Sequence, residues 1–117
     1  MKNLFLQYPK CSTCRKAKKF LQDKNIDFDD RDITINNPSK DELGEWINKS
    51  GLEIKKFFNT SGVLYREMGL KDKIKTMTQD EMIELLSTDG KLVKRPLFIN
   101  DNIVLVGFKE EEYNNIQ

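Results

Sequence analysis

Residues 4–24, LFLQYPKCSTCRKAKKFLQDK, decide how this chain is read. Leu4-Phe5-Leu6-Gln7-Tyr8 is short, apolar and stopped by Pro9, the pattern of a buried strand. From Ser12 onward Cys14, Ala17, Phe20 and Leu21 recur at helical spacing, while Arg15, Lys16, Lys18 and Lys19 take the remaining face. This predicts an amphipathic helix to about Lys24. Cys11 and Cys14 lie at the junction of strand and helix. A Cys-x-x-Cys at a helix start leaves the first sulfur beside unpaired backbone N–H groups, and the second, one turn on, can reach it. Those N–H groups and the helix dipole stabilise a thiolate, the species that attacks disulfides and other electrophiles. Cys11 is therefore expected to be the nucleophile. Cys14, on the inward face, is expected to resolve a mixed disulfide by closing a Cys11-Cys14 bond. Lys10, Arg15 and Lys16 add positive charge of secondary weight, because exposed charges are screened.

The rest of the composition narrows the chemistry. At 117 residues the chain is long enough for one domain with a hydrophobic core, and residues 1–117 are read as that domain. Hydrophobic residues make up 38% and charged residues 33%, with 20 Lys+Arg against 19 Asp+Glu, so there is no electrostatic case for direct nucleic-acid binding. Histidine is absent, which excludes Ser-His-Asp and Cys-His mechanisms. A zinc site built on the two cysteines would need further ligands, and there is neither a third cysteine nor a histidine; no metal or other cofactor is expected. The opening MKNLFLQYPK lacks the long apolar segment of a signal peptide, and no stretch reaches the length of a membrane span. The expected setting is the cytosol, where a cysteine pair reads as catalytic, redox-sensing or metal-binding. A monomer with no membrane contact is expected.

Beyond the first helix, residues from Ile26 to Ile33 alternate roughly in polarity and predict a second strand, completing a right-handed β-α-β unit. Ser39 followed by Glu42 is a capping-box pattern that opens a helix through Leu43, Trp46 and Ile47, with Gly51 placed to end it. The segment from Leu52 to Gly90 stays helical in pieces: Ile54, Phe57 and Phe58 in one, Val63, Leu64 and Met68 in the next, Met82, Leu85 and Leu86 in a third. Thr78 with Glu81 starts that third piece, and Asp89-Gly90 ends it. Trp46, Phe57 and Phe58, at helical spacing, are expected in the core. Leu97-Phe98-Ile99 and Ile103-Val104-Leu105-Val106 form a hairpin across Asn100-Asp101-Asn102, residues that tolerate a left-handed backbone. Lys109 to Ile116 closes the chain as a short helix.

A dithiol between the first strand and the first helix of a βαβ–ββα order is the arrangement of a thioredoxin-like α/β fold. Here it carries a helical insertion at about residues 39–90, between the second and third strands. Tyr8-Pro-Lys-Cys-Ser-Thr-Cys-Arg-Lys-Ala, Asn37-Pro-Ser-Lys-Asp-Glu-Leu, Phe58-Asn-Thr-Ser-Gly, Tyr65-Arg-Glu-Met-Gly-Leu and Lys94-Arg-Pro-Leu run along almost the whole chain. On these pieces the sequence resembles the arsenate reductase (ArsC)/Spx/MgsR family, and most of all its short arsenate-reductase-like branch in Gram-positive bacteria.

The resemblance implies roles for particular residues. In the family's arsenate reductases Cys11 would form the arsenate adduct, and Arg95 would be one of three arginines holding the oxyanion. Asn59 and a position near Gly107 stand where the other two would be, and one arginine with a helix N-terminus is a thin set for a tetrahedral dianion. Those reductases usually lack the second cysteine and draw on glutathione with glutaredoxin, so Cys14 points to self-contained thiol/disulfide chemistry. Spx-type regulators use the same Cys-x-x-Cys as a redox switch and bind the C-terminal domain of the RNA polymerase α subunit. They tend to continue past the terminal helix, whereas this sequence ends at Gln117. Pro96 is expected to be cis and to sit against the dithiol, as the proline of that place does in thioredoxin-like folds. Lys10, Ser12, Thr13, Arg15, Asn59, Arg95 and Pro96 make up the set expected to bind or orient a substrate. The leading expectation is a glutaredoxin-like thiol/disulfide oxidoreductase that acts on a thiol or disulfide substrate and is regenerated by a cellular thiol reductant. A redox-sensitive transcription regulator and an arsenate reductase are the alternatives.

Overall fold

A computed structural model describes residues 2–116. In chain order its elements are β1 (Leu4–Gln7), α1 (Ser12–Asp23), β2 (Asp29–Asp32), α2 (Lys40–Ser50), α3 (Val63–Glu67), α4 (Leu70–Lys73), α5 (Gln79–Thr88), β3 (Leu97–Ile99), β4 (Val104–Val106) and α6 (Glu110–Tyr113). Short 3-10 turns occupy Ile54–Phe57, Ile74–Thr76 and Gly90–Leu92. Two compact units result: one combines the chain up to Asp32 with the chain from Arg95 onward, and the other is Ile33–Lys94.

The first unit holds a four-stranded sheet in the order β2-β1-β3-β4, with β1 parallel to β2 and antiparallel to β3, and β3 antiparallel to β4. This is the thioredoxin-like α/β topology. Phe5 pairs with Phe98 across the two central strands, and both enter a core with Ala17 and Leu21 of α1, Tyr113 of α6 and Ile116. Each such side chain withdrawn from water stabilises the fold by about 1.5–3 kcal/mol. The Phe20, Phe108 and Tyr113 rings meet edge to face around this core, with centroids 4.9–6.1 Å apart. Gln7 is buried at the end of β1, and its amide donates to Asp30 at 2.7 Å; Lys18 of α1 pairs with the same carboxylate at 2.6 Å. A polar strand end is thus satisfied from a neighbouring strand and a helix.

Several boundaries depart from the sequence expectation. The second strand spans Asp29–Asp32, shorter than the predicted Ile26 to Ile33, because the chain is still turning at Asn25 (φ 57°) and the Ile26 N–H bonds back to Leu21. Ile26 and Phe28 spend their apolar surface on the core from that turn, Phe28 lying edge-on to Phe5 at 5.3 Å. The hairpin turn needs no left-handed residue: Asn25 is the only non-glycine with positive φ among the described residues. Instead the Asn100 side-chain oxygen accepts from the Asn102 and Ile103 N–H groups at 2.9 and 3.0 Å. α6 ends at Tyr113, and a tighter turn, with the Ile116 N–H bonded to the Tyr113 carbonyl, brings Ile116 into the core.

In the second unit both expected capping boxes form, Ser39 with Glu42 at α2 and Thr78 with Glu81 at α5, and Gly51 ends α2 at φ 69°. α2 packs on α5, and Trp46, Phe57 and Phe58 are buried as expected. Val63 is 59% exposed; in a helix of five residues Tyr65 takes the buried place and meets Phe58 edge to face. Phe58 bridges Val93, closing this unit with backbone bonds from Lys94 to Phe57 and from Asn59 to Leu92. No helix among the described residues is long and apolar enough to cross a membrane.

Gly90 is buried against the backbone of Ile33, and a Cβ there would overlap the Ile33 carbonyl. Gly90→Ala is expected to destabilise the protein by about 1–3 kcal/mol, since backbone has to move to admit the methyl group. Chemical denaturation of the two proteins measures the difference.

Candidate functional site

The two thiols are held by one short turn and one helix start. Pro9 stops β1, and the chain turns so that the Cys11 N–H donates to the Tyr8 carbonyl at 2.9 Å. Cys11 then stands in extended conformation as the N-cap of α1, and its sulfur accepts the Cys14 N–H at 3.4 Å. A thiol thus occupies the position usually given to a Ser or Asp oxygen, and a negative charge on it would face the unpaired N–H groups of the first turn. Cys14, on the inward face that the periodicity assigned to it, is fully buried; its sulfur accepts the Tyr8 N–H at 3.5 Å. Both cysteines are free thiols in this structure.

Their environments separate them. At Cys11 partial burial works against ionisation, but hydrogen bonds from the Cys14 thiol and N–H and the positive charge of Arg95 outweigh it. The Cys11 thiol is held below its ordinary range. At Cys14 burial dominates and the neighbouring Cys11 adds to it, against the Tyr8 N–H and Arg95, so the thiol is pushed up to about 12. Cys11 therefore ionises more readily than Cys14.

Arg95 is the charged residue brought to this pair from far along the chain. Its guanidinium carbon lies 5.0 Å from the centre of the Tyr8 ring, and its Nε and Nη1 are buried with no hydrogen-bond partner among the described residues. The Arg95–Pro96 peptide bond is cis and Pro96 is buried. Lys10, Ser12 and Thr13 are exposed on either side of Cys11. Arg15 is exposed as well, and its guanidinium donates to the Pro9 carbonyl at 3.0 Å, bracing the turn. Asn59 belongs to the second unit, where its amide donates to the Lys91 carbonyl at 3.3 Å. Gly107, at φ 78°, donates its N–H to the Pro96 carbonyl at 2.8 Å. In the sequence Tyr8 reads as the end of a strand and the first residue of the Tyr8-Pro-Lys-Cys motif. Its aromatic character beside Pro9-Lys10-Cys11 was visible, but its pairing with Arg95 across the sheet was not. No group of three or more Cys, Asp or Glu side chains suited to a metal ion occurs among the described residues.

The model of the ArsC family matches residues 6–116, from the end of β1 to the turn after α6. The chain belongs to the ArsC family. Within it, the chain is 51% identical over 109 residues to the uncharacterised protein YusI of Bacillus subtilis, covering 93% of this chain and 92% of that one. It is also 29% identical to the regulatory protein MgsR of the same organism, over 92% of this chain and 84% of MgsR. A crystal structure of an ArsC-family-related protein from Bacteroides fragilis superposes with a TM-score of 0.97 at 57% identity, covering 100% of this chain and 98% of the other. The chain's relatives thus include a protein named as a regulator, and the fold is shared with an ArsC-family-related structure.

Iodoacetamide at neutral pH is expected to modify Cys11 alone, with a rate that holds to lower pH than that of a free cysteine, and mass spectrometry of the peptides reads this directly. Cys14 also carries a stability signature. The folded protein keeps its proton to about pH 12, whereas an ordinary thiol loses it near 9.0, so stability is expected to fall as pH rises through that window. Replacement of Cys14 by Ala should flatten that part of the curve.

Proposed function

We propose that this ArsC-family protein is a thiol/disulfide oxidoreductase in which Cys11 attacks and Cys14 resolves. The observation that carries the reading is the unequal pair: a half-exposed N-cap thiol with lowered pKa, bonded to a buried thiol whose pKa is raised. The Cys11 thiolate attacks one sulfur of a substrate disulfide, forming a Cys11–substrate bond and releasing the other half as a thiolate. Cys14 then gives up its proton and attacks the Cys11 sulfur, closing a Cys11-Cys14 disulfide and releasing the second substrate thiolate. The substrate gains two electrons and the dithiol loses two; a cellular dithiol reductant restores it. Cys11 charge is one of the causes that hold the Cys14 proton, and that charge disappears once Cys11 is in a mixed disulfide. Formation of the first bond therefore eases the second step. A reducing cytosol is the setting this cycle requires.

Arsenate reduction draws less support. Asn59 and Gly107 stand where the family resemblance places arginines, which leaves Arg95 as the one arginine of those three positions. A second reading, that the dithiol is the switch of a regulator acting on the RNA polymerase α subunit, is favoured by the likeness to the regulatory protein MgsR. In that case oxidation of the pair should change binding to the polymerase subunit in a pull-down.

Reduction of a glutathione-mixed-disulfide peptide in the presence of excess dithiol reductant is the test. Cys11→Ser is expected to abolish turnover, and Cys14→Ser, given the substrate without the dithiol reductant, to retain the Cys11 mixed disulfide. Equal rates in Cys11→Ser and the parent protein would end the proposal.

A further inference from the structure

Tyr8 contacts both cysteines and Arg95. Its carbonyl accepts the Cys11 N–H at 2.9 Å, its N–H donates to the Cys14 sulfur at 3.5 Å, and its ring lies 5.0 Å from the Arg95 guanidinium carbon. The two backbone contacts would survive substitution, because any residue but proline supplies them. The ring contact is what the side chain adds.

It matters because two of the Arg95 donors have no partner to hold them. Its Nε and Nη1 are buried without a hydrogen-bond partner among the described residues, so no carboxylate or carbonyl fixes the plane of those two groups. Buried donors left this way are costly unless something compensates, and the face of an aromatic ring supplies attraction without consuming a donor. Cys14, from α1, and Arg95, from the segment leading into β3, are the titratable groups that act on Cys11. We propose that Tyr8 is a positioning residue of the dithiol site: its ring holds the Arg95 guanidinium in reach of the Cys11 sulfur without using Nε or Nη1 as donors. The phenol hydroxyl has no part in this, so phenylalanine should replace tyrosine without loss, and an aliphatic residue should not.

The inference rests on the reading of Cys11 as the attacking thiolate, but alkylation kinetics measure it separately from disulfide turnover, so failure of one assay is distinguishable from failure of the other. The pH dependence of iodoacetamide alkylation of Cys11 is measured in the parent protein, Tyr8→Phe, Tyr8→Leu, Arg95→Gln and the Tyr8→Leu/Arg95→Gln double variant. Tyr8→Leu is expected to shift the Cys11 profile upward by about half a pH unit, with roughly threefold slower alkylation below the midpoint, the scale of a cation–π contact. Tyr8→Phe should retain the parent profile, and Tyr8→Leu should add nothing further once Arg95 is Gln. A shift in Tyr8→Phe as large as in Tyr8→Leu, or equal effects of Tyr8→Leu with and without Arg95, would overturn the proposal. Should Tyr8→Leu not fold, the proton shifts of the Arg95 side chain in the parent protein and Tyr8→Phe decide. Upfield ring-current shifts in both support the contact, and their absence overturns it.

Discussion

The hydrogen bond from the Cys14 N–H to the Cys11 sulfur, 3.4 Å long, is the contact on which the site depends. It makes Cys11 the cap of α1, so the interaction that starts the helix joins the Cys14 thiol and Arg95 in favouring ionisation of Cys11. Everything needed to place it is local: Pro9 stops β1, the Tyr8 carbonyl takes the Cys11 N–H, and the Arg15 guanidinium braces the Pro9 carbonyl. The inward face of α1 then buries Cys14 in line with Ala17 and Leu21, above the aromatic core built on Phe5, Phe98 and Tyr113. Helix periodicity therefore does two things at once: it builds the core, and it makes the second thiol the one without access to solvent.

Features set by neighbours in sequence were readable in advance. The strand–dithiol–helix junction, both capping boxes, the helix end at Gly51 and the burial of Trp46, Phe57 and Phe58 all follow from spacing within a few residues. What was misread depends on tertiary demand. Ile26 and Phe28 looked like strand residues because they are apolar and alternate, but the core takes them from a turn, and pairing with β1 begins only at Asp29. Likewise Asn100 closes the hairpin through its side chain, where a left-handed backbone was expected.

The site divides in the same way. The unequal roles of Cys11 and Cys14 were legible because both lie on one helix. The Lys10, Arg15 and Lys16 charges were the visible candidates for tuning the thiolate, yet the charge that acts on Cys11 is Arg95, carried in on the segment before β3. The Tyr8–Arg95 contact joins residues from the two ends of the first unit, and nothing in spacing or composition couples them. Membership of the ArsC family establishes the fold, and the relatives it brings include a regulatory protein, so the choice among roles falls to the thiols themselves.

An equilibrium redox titration of the protein against glutathione, with thiols trapped and counted by mass spectrometry, tests the central claim most directly. A dithiol that cycles as proposed gives a single two-electron transition, with a slope of about 30 mV per decade, in which an internal Cys11-Cys14 disulfide replaces both thiols and disappears in Cys14→Ser. A stable glutathione adduct on Cys11 with Cys14 still free at every potential would contradict it.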